Sequence, residues 1–260
     1  MIYHTNSGDA AALCARLEQD GFAVIEHVFA GPQIARILAD LGRALEAQSD
    51  EQGSIRSSGD RIYAARNMMS VWPQVLELTR EPPLRAAVRA ILGAGCGLVR
   101  GLYFDKPPGR SWSLPWHKDM TISVRDNTRP SRLFSKPTTK SGVPHAEAPE
   151  CVLEQMLTAR IHLDDVTDEN GPLVVVAGSH RGGKTLEHVA SADPRRRTIF
   201  AAVGDVLLMR PLVAHSSGNS REDTRRHRRI VHLEFASATP LPDGYDWHDF
   251  RPIDHEEAEP

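Results

Sequence analysis

The sequence predicts a mainly β protein with flanking helices, its core an antiparallel barrel or jelly roll. Three observations carry this. From Cys96 onward, short β-type runs broken by Gly and Pro follow one another, at 98–104, 156–163, 173–176, 198–202, 206–209 and 230–235. These runs do not alternate with helical segments, which argues against a doubly wound βα sheet. The first ninety residues, by contrast, read mainly as helix.

Taken in order, Asp9 is placed to cap a helix over 10–19 that stops at Asp20-Gly21. Phe22-Ala23-Val24-Ile25 is a short apolar run with strand character. Gly31-Pro32 opens the next helix, where Ile34, Ile37, Leu38, Leu41 and Leu45 recur at helical spacing. The polar stretch 48–60 reads as a loop, and 83–92 as a helix ended by Gly93. The Pro/Ser/Thr/Lys-rich segment 121–149 reads as a long loop interrupting the strands; loops of that length act as lids or linkers. The segment 61–72 is a second lid candidate, and 254–260 reads as a frayed acidic end. The expected organisation is one domain over 1–260. A mostly helical part (1–95) packs on a β core (96–236), and 237–260 is a tail.

Composition narrows the function class. The chain has 260 residues, 40% hydrophobic and 25% charged, enough for a sizeable core. A formal charge of −3 gives no general attraction for nucleic acid or an anionic membrane. No apolar stretch approaches the roughly 20 residues needed to span a bilayer, and the opening MIYHTNSGDA is not a signal peptide. Cys14, Cys96 and Cys151 are odd in number, widely spaced and without a CxxC pair. They read as reduced, mostly buried thiols of a cytoplasmic protein, not a disulfide framework or zinc ribbon.

Twelve His favour a metal or catalytic site, and five His-x-Asp/Glu pairs compete for it. This composition produces roughly one or two such pairs by chance, so context must choose. His117/Asp119 follows the Pro/Gly-rich stretch Lys106-Pro107-Pro108-Gly109; on extended backbone both side chains point one way and can grip one ion. His162/Asp164 ends an apolar strand and reads as a strand-end His with turn-forming acids. His145/Glu147 lies in the long segment and reads as surface, His255/Glu257 as solvated tail. His232/Glu234 falls inside the last strand. His215, 98 residues after His117, sits between a strand and Ser216-Ser217-Gly218-Asn219, where it can open onto a cavity. Arg225–Arg229 reads first as a basic loop tip, but its end runs directly into the strand at 230–235. An Arg there can point into the barrel if a carboxylate compensates its burial.

These residues, in this order, resemble the phytanoyl-CoA dioxygenase family of non-haem Fe(II)/2-oxoglutarate oxygenases. The likeness rests on Leu102–Gly109, Trp116-His117-Lys118-Asp119, the run from Arg160 to Leu173, Ala177–Arg181, Gly204–Leu208 and His215–Asn219 before the Arg-led strand. It implies a double-stranded β-helix (cupin-like jelly roll) and an iron held by His117, Asp119 and His215. The Arg opening the last strand then meets the far carboxylate of 2-oxoglutarate. Arg228 is favoured, and Arg229 takes its place if the register slips by one, since a slip turns the side chain to the other face. Ser217 and Lys106 are further candidate contacts to the co-substrate. Asn170-Gly171 and Gly178-Ser179-His180 read as structural turns. Ala177 stands where the family often has Pro. Retention of the Asp favours hydroxylation over halogenation.

The resemblance implies a dioxygenase that uses O2 and 2-oxoglutarate to hydroxylate an unactivated C–H of a small-molecule metabolite, releasing succinate and CO2. Two alternatives stand beside it: a cupin-like metalloenzyme that does not use 2-oxoglutarate, and a non-catalytic metabolite-binding relative. Arg125, Arg129, Arg132, Lys136, Lys140 and His145 make the long segment basic, which points to an anionic substrate or simply to a solvated charged face.

Overall fold

The computed structural model describes residues 4–5, 9–47, 53–58, 61–186, 193–237 and 240–254. In chain order the N-terminal part comprises β1 (His4–Thr5), α1 (Ala10–Gln19), β2 (Phe22–Ile25), α2 (Gly31–Glu46), β3 (Ile55–Ser58), β4 (Arg61–Ala65), α3 (Met68–Val71), α4 (Val75–Leu78) and α5 (Pro82–Leu92). Then come β5 (Gly97–Asp105), β6 (Leu114–His117), β7 (Thr121–Ser123), β8 (Ser135–Lys140), β9 (Val143–Glu147), α6 (Glu150–Leu153), β10 (Met156–His162) and β11 (Leu173–Val176). The chain closes with β12 (Arg196–Ile199), β13 (Val206–Met209), β14 (His215–Ser217), β15 (Arg229–Ala236) and β16 (Arg251–Pro252).

The strands form three sheets. The largest runs β1-β2-β13-β10-β15-β5-β4-β3 with β16 on β5, the second runs β12-β11-β14-β6, and the third β7-β9-β8. Period-two alternation in the central strands decides what each face does. Leu157, Ala159, Ile161 and Leu163 around β10 join Val231, Leu233 and Phe235 of β15 in one apolar cluster. Ile34, Ile37, Leu41 and Leu45 of α2 and Leu84 and Val88 of α5 belong to the same cluster, so the helices cover this face. Each such side chain contributes roughly 1.5–3 kcal/mol when fully buried, which pins the register. The intervening residues, Thr158, Arg160 and His162 with His232 and Glu234, are buried and polar. A one-residue slip of β10 or β15 would drive charged groups into the helix layer. At one end of the opposite face Phe22, Val24, Leu207 and Met209 pack against Leu173, Val175 and Val213, closing the two sheets together.

Local chemistry accounts for the helices. The Asp9 carboxylate accepts from the Ala12 N–H at 2.9 Å, capping α1. At α2 the Gln33 side chain accepts from the Ala30 N–H at 2.7 Å, with Pro32 in the first turn. Among the described residues no helix is long and apolar enough to cross a membrane.

Several expectations need correcting. Segment 121–149 is not a loop: it holds the antiparallel β7-β9-β8 sheet. Ile122, Phe134 and Ala146 bury an apolar face against Tyr245 and Trp247, while Ser135, Lys136 and Thr138 stay exposed. Ser141-Gly142, both at positive φ, form the tight turn between β8 and β9. The polar stretch 48–60 contains strand β3, although 48–52 and 59–60 lie outside the described residues. The lid candidate 61–72 is strand β4 followed by the short helix α3. The first 95 residues therefore supply strands to the main sheet as well as helices. The C-terminal part is tied down: β16 pairs with β5, and Asp254 meets Arg85 at 2.9 Å. Residues 255–260, with the His255/Glu257 pair, lie outside the described residues. Of the three cysteines, all free, only Cys96 is buried.

Candidate active site

Strands β6 and β14 pair so that His117 stands opposite His215. Their rings lie 4.1 Å apart between centroids, and His215 Nε2 is 3.6 Å from an Asp119 oxygen. One ligand atom from each of His117, Asp119 and His215 falls within 4.8 Å of the others. Each imidazole is oriented through its other nitrogen. His117 Nδ1 donates to the Pro115 carbonyl at 2.7 Å and His215 Nδ1 to the Val213 carbonyl at 2.9 Å. A carbonyl can only accept, so both Nε2 lone pairs are left for an ion. Asp119 is held by its own N–H, which donates to Pro211 O at 3.0 Å.

The electrostatics suit metal binding. Burial pushes His215 down to about 4, so its imidazole is neutral at physiological pH. Burial works against ionisation of Asp119, but His215, His232, His117 and Arg160 outweigh it and hold the carboxyl below its ordinary value. Two imidazoles and a carboxylate leave positions open on an octahedral ion, a donor set that fits Fe(II). Lys118, between the ligands, turns away: its Nζ donates to the Ser179 and Gly183 carbonyls. Trp116 points aside too, beneath the Arg196 guanidinium at 4.6 Å.

The triad opens onto a cavity of about 360 Å³. One end is lined by Ser217; behind it, and not itself lining the cavity, the almost fully buried Lys106 donates from Nζ to Ser217 Oγ at 3.3 Å and to Gly218 O at 2.7 Å. Beside it Arg228, 4% exposed, donates from Nη1 to Gly171 O at 2.6 Å, while its Nε has no partner among the described residues. Burial, then Arg228 and Arg160, bring Lys106 down to about 7. Arg228 is lowered as well, first by burial and then by Arg160; a guanidinium remains a cation even so. Arg229 faces the other way, bonded to Asp164 at 2.9 and 2.6 Å. The two arginines thus separate as alternation along β15 requires.

Asn170 fixes this end. Its Oδ1 accepts from Thr167 N, and its Nδ2 donates to Asp165 O and His227 O, which ties the turn to the segment that delivers Arg228. Gly171 sits at φ +68, where a Cβ would lie 2.6 Å from the Gly218 carbonyl.

Further along the cavity stand Arg100, Arg160, His232 and Glu234, to which sequence reasoning gave no role. Arg160 donates from Nη1 to His232 Nδ1 at 3.1 Å. Glu234 meets Arg100 at 3.2 Å and His232 at 3.4 Å. Arg66 and Lys140 also line the cavity, as do Leu102 and Phe104, while Trp112 and Leu114 line it at the Lys106 and Ser217 end. The signal was there: Thr158, Arg160 and His162 alternate with apolar neighbours, as do His232 and Glu234. Such alternation normally means a solvated face; here it lines a cavity. His145, expected at the surface, is buried at 2% exposure and brought down to about 4, first by burial and then by Arg100. His162 is a buried core histidine donating to Asp205 O at 3.1 Å.

The family model described as Phytanoyl-CoA dioxygenase (PhyH) matches residues 17–228. An ectoine dioxygenase of Bordetella parapertussis is 29% identical over 168 residues, covering 63% of this chain and 47% of that protein. The chain therefore spans about half the length of that relative. An L-proline trans-4-hydroxylase of Streptomyces griseoviridis is 22% identical over 257 residues, covering 86% of each. Among solved structures, EctD from S. alaskensis with 2-oxoglutarate and 5-hydroxyectoine superposes with a TM-score of 0.66 at 20% identity. That superposition covers 96% of this chain and 81% of that one, and it bears out the cupin-like fold.

Proposed function

Since this chain belongs to the phytanoyl-CoA dioxygenase family, we propose that it is an Fe(II)- and 2-oxoglutarate-dependent dioxygenase that hydroxylates an unactivated C–H of a small-molecule metabolite. The observation that carries the reading is the convergence of His117, Asp119 and His215 within 4.8 Å beside a cavity with a buried, uncompensated guanidinium. When bound, the iron and 2-oxoglutarate supply O2 activation, with succinate and CO2 as by-products. The rest is work for the protein. His117, Asp119 and His215 hold the ion, and the Pro115 and Val213 carbonyls keep both imidazoles in the ligating tautomer.

Arg228 is the residue we assign to the far carboxylate of 2-oxoglutarate. It lies inside the cavity, is oriented by Gly171 O, and has no carboxylate partner within 4 Å among the described residues, whereas Arg229 is already engaged by Asp164. A planar guanidinium matches a carboxylate with two parallel bonds. Lys106 and Ser217, bonded to each other, lie beside it and complete the anion-binding end. Leu102, Phe104 and Trp112 supply apolar wall on which a substrate C–H can be held away from bulk water. One domain, with 96–236 as oxygenase core and 1–95 packed on it, and a cytoplasmic home for its three free thiols, complete the reading.

The test is anaerobic loading with Fe(II), addition of 2-oxoglutarate and a metabolite extract, then admission of O2. Succinate formation that requires iron, 2-oxoglutarate and O2 together is expected, along with a species that gains one oxygen atom. Oxygen uptake indifferent to 2-oxoglutarate would favour a cupin-like enzyme of another kind.

A further inference from the structure

We infer that the molecule this site oxidises is an organic anion, whose carboxylate or phosphate docks on Arg66 and Lys140 at the end of the cavity remote from Arg228. The inference rests on the oxygenase reading above and names the substrate class for it.

The register of β15 on β5 sets the two ends apart. Arg229 pairs with Asp105 and Glu234 with Arg100, so Arg228 and Lys106 lie six positions from Glu234 and Arg100 on their respective strands. At 3.4 Å per residue that is about 20 Å. Arg160 and His232 occupy the middle. A five-carbon diacid held between the metal triad and Arg228 occupies one half of this span and leaves the other half to the substrate.

That other half carries more positive charge than it can use. Arg100 is matched by Glu234 at 3.2 Å and donates also to Thr121 O at 3.3 Å. Arg66 and Lys140 are half-buried and line the same cavity, and among the described residues neither has a carboxylate within 4 Å. Each is disfavoured as a cation, by burial first and by Arg100 next. Grouping unmatched cations in a partly dry cavity costs free energy, and an anionic ligand removes that cost.

The grouping is built, not incidental. Arg66 follows β4 and Lys140 ends β8, elements of different sheets. Asn67, next to Arg66 and at φ +54, donates from Nδ2 to the carbonyl of Ser141, next to Lys140, at 3.0 Å. Ser141 in turn donates from Oγ to Gly53 O at 2.9 Å. Two hydrogen bonds therefore clamp the β8–β9 turn to the β3–β4 region and hold the two cations at one mouth. Leu102, which pairs with His232 in the middle of the span, gives apolar wall between these cations and the triad, while Phe104 and Trp112 stand nearer Lys106.

The experiment separates a metabolite extract by anion exchange into retained and unretained fractions. Each is incubated with the Fe(II)-loaded full chain, 2-oxoglutarate and O2, and products gaining one oxygen are found by mass. The expected substrate lies in the retained fraction, and its KM rises at least tenfold in Arg66→Gln and in Lys140→Gln with kcat within threefold. Arg66→Lys, which keeps the charge, recovers most of the loss, and a thermal melt checks that each variant is folded. Phosphatase treatment of the retained fraction removes the substrate if its docking group is a phosphate and spares it if a carboxylate. An oxygenated species arising only from the unretained fraction, or wild-type KM in both Gln variants, overturns the docking site. So does succinate formation with no oxygenated product from the retained fraction. Absence of any 2-oxoglutarate-dependent succinate, by contrast, overturns the oxygenase reading itself.

Discussion

His117 and His215 face each other as cross-strand partners on β6 and β14, and each donates its Nδ1–H to the carbonyl two residues before it. The same local bond, repeated on two strands, aims both Nε2 atoms at one point beside Asp119. Losing a supporting partner of a metal ligand typically costs about 10–100-fold in affinity, so losing a ligand costs more. His117→Gln and His215→Gln are each expected to weaken Fe(II) binding by more than about 100-fold and to bring succinate formation to background. Anaerobic calorimetric titration checks the first and product assay the second. A variant with wild-type turnover would remove that residue from the ligand set.

Arg228 and Arg229 have opposite fates, which predicts opposite phenotypes. Arg228→Gln removes a charge-assisted contact worth about 1.5–3 kcal/mol, and should raise the KM for 2-oxoglutarate about tenfold to a hundredfold with iron affinity retained. Arg229→Gln breaks a partly buried pair with Asp164. It should lower stability by about 1–2 kcal/mol and leave 2-oxoglutarate affinity near wild type. Urea melts and 2-oxoglutarate saturation curves on the same two proteins decide it; exchanged phenotypes would exchange the roles.

Much of this was legible in the chain. The six strands read from apolar runs after Cys96 are all present, within a few residues of their expected ends, because each buries apolar side chains in a core cluster. The metal triad was readable because its three members sit in distinctive neighbourhoods. The strands β6 and β14, which carry His117 and His215, were not, being only four and three residues long. The β7-β9-β8 sheet was hidden for a related reason: Ser135–Lys140 is exposed along its length and makes no apolar pattern. Arg100, Arg160, His232 and Glu234 were overlooked because alternation says which residues share a face, but not whether that face meets water or a cavity. Topology decides that: the opposite sheet, β12-β11-β14-β6, converts a polar face into the wall of a site.

Lys106 gives the site a pH dependence whose sign can be worked out. Its folded value is about 7 against an ordinary 10.5, so the ammonium is present below pH 7 and lost above it. Binding of a dianion favours the charged form. The affinity for 2-oxoglutarate should therefore fall as pH rises from 7 toward 9, by up to about tenfold per pH unit, one proton being taken up per ligand bound. Without ligand, the unfolded chain binds more protons than the folded one between about 7 and 10.5, so this residue makes stability rise with pH there. Lys106→Met should flatten both curves. A pH-independent 2-oxoglutarate affinity in the wild type would place Lys106 outside the co-substrate site.

Gly171 tests whether the anion-binding end is shaped by backbone as much as by charge. At φ +68 an L-residue costs roughly 1–2 kcal/mol. The added Cβ would also lie 2.6 Å from the Gly218 carbonyl and 3.1 Å from Lys106 Nζ. The first neighbour is backbone and must shift; the second is a flexible tip that must give up its place. Because Gly171 O accepts from Arg228 at 2.6 Å, a shift of this turn moves the guanidinium as well. Gly171→Ala should therefore lower stability by about 1–3 kcal/mol and raise the KM for 2-oxoglutarate several-fold, with iron affinity unaffected. Asn170→Ala loosens the same turn without adding bulk, since it deletes the bonds to Asp165 O and His227 O. If the co-substrate defect follows the position of Arg228, both variants share it; if only Gly171→Ala shows it, direct crowding of Lys106 is the cause. A Gly171→Ala protein with wild-type melting temperature and wild-type KM would mean that this turn does not position the arginine.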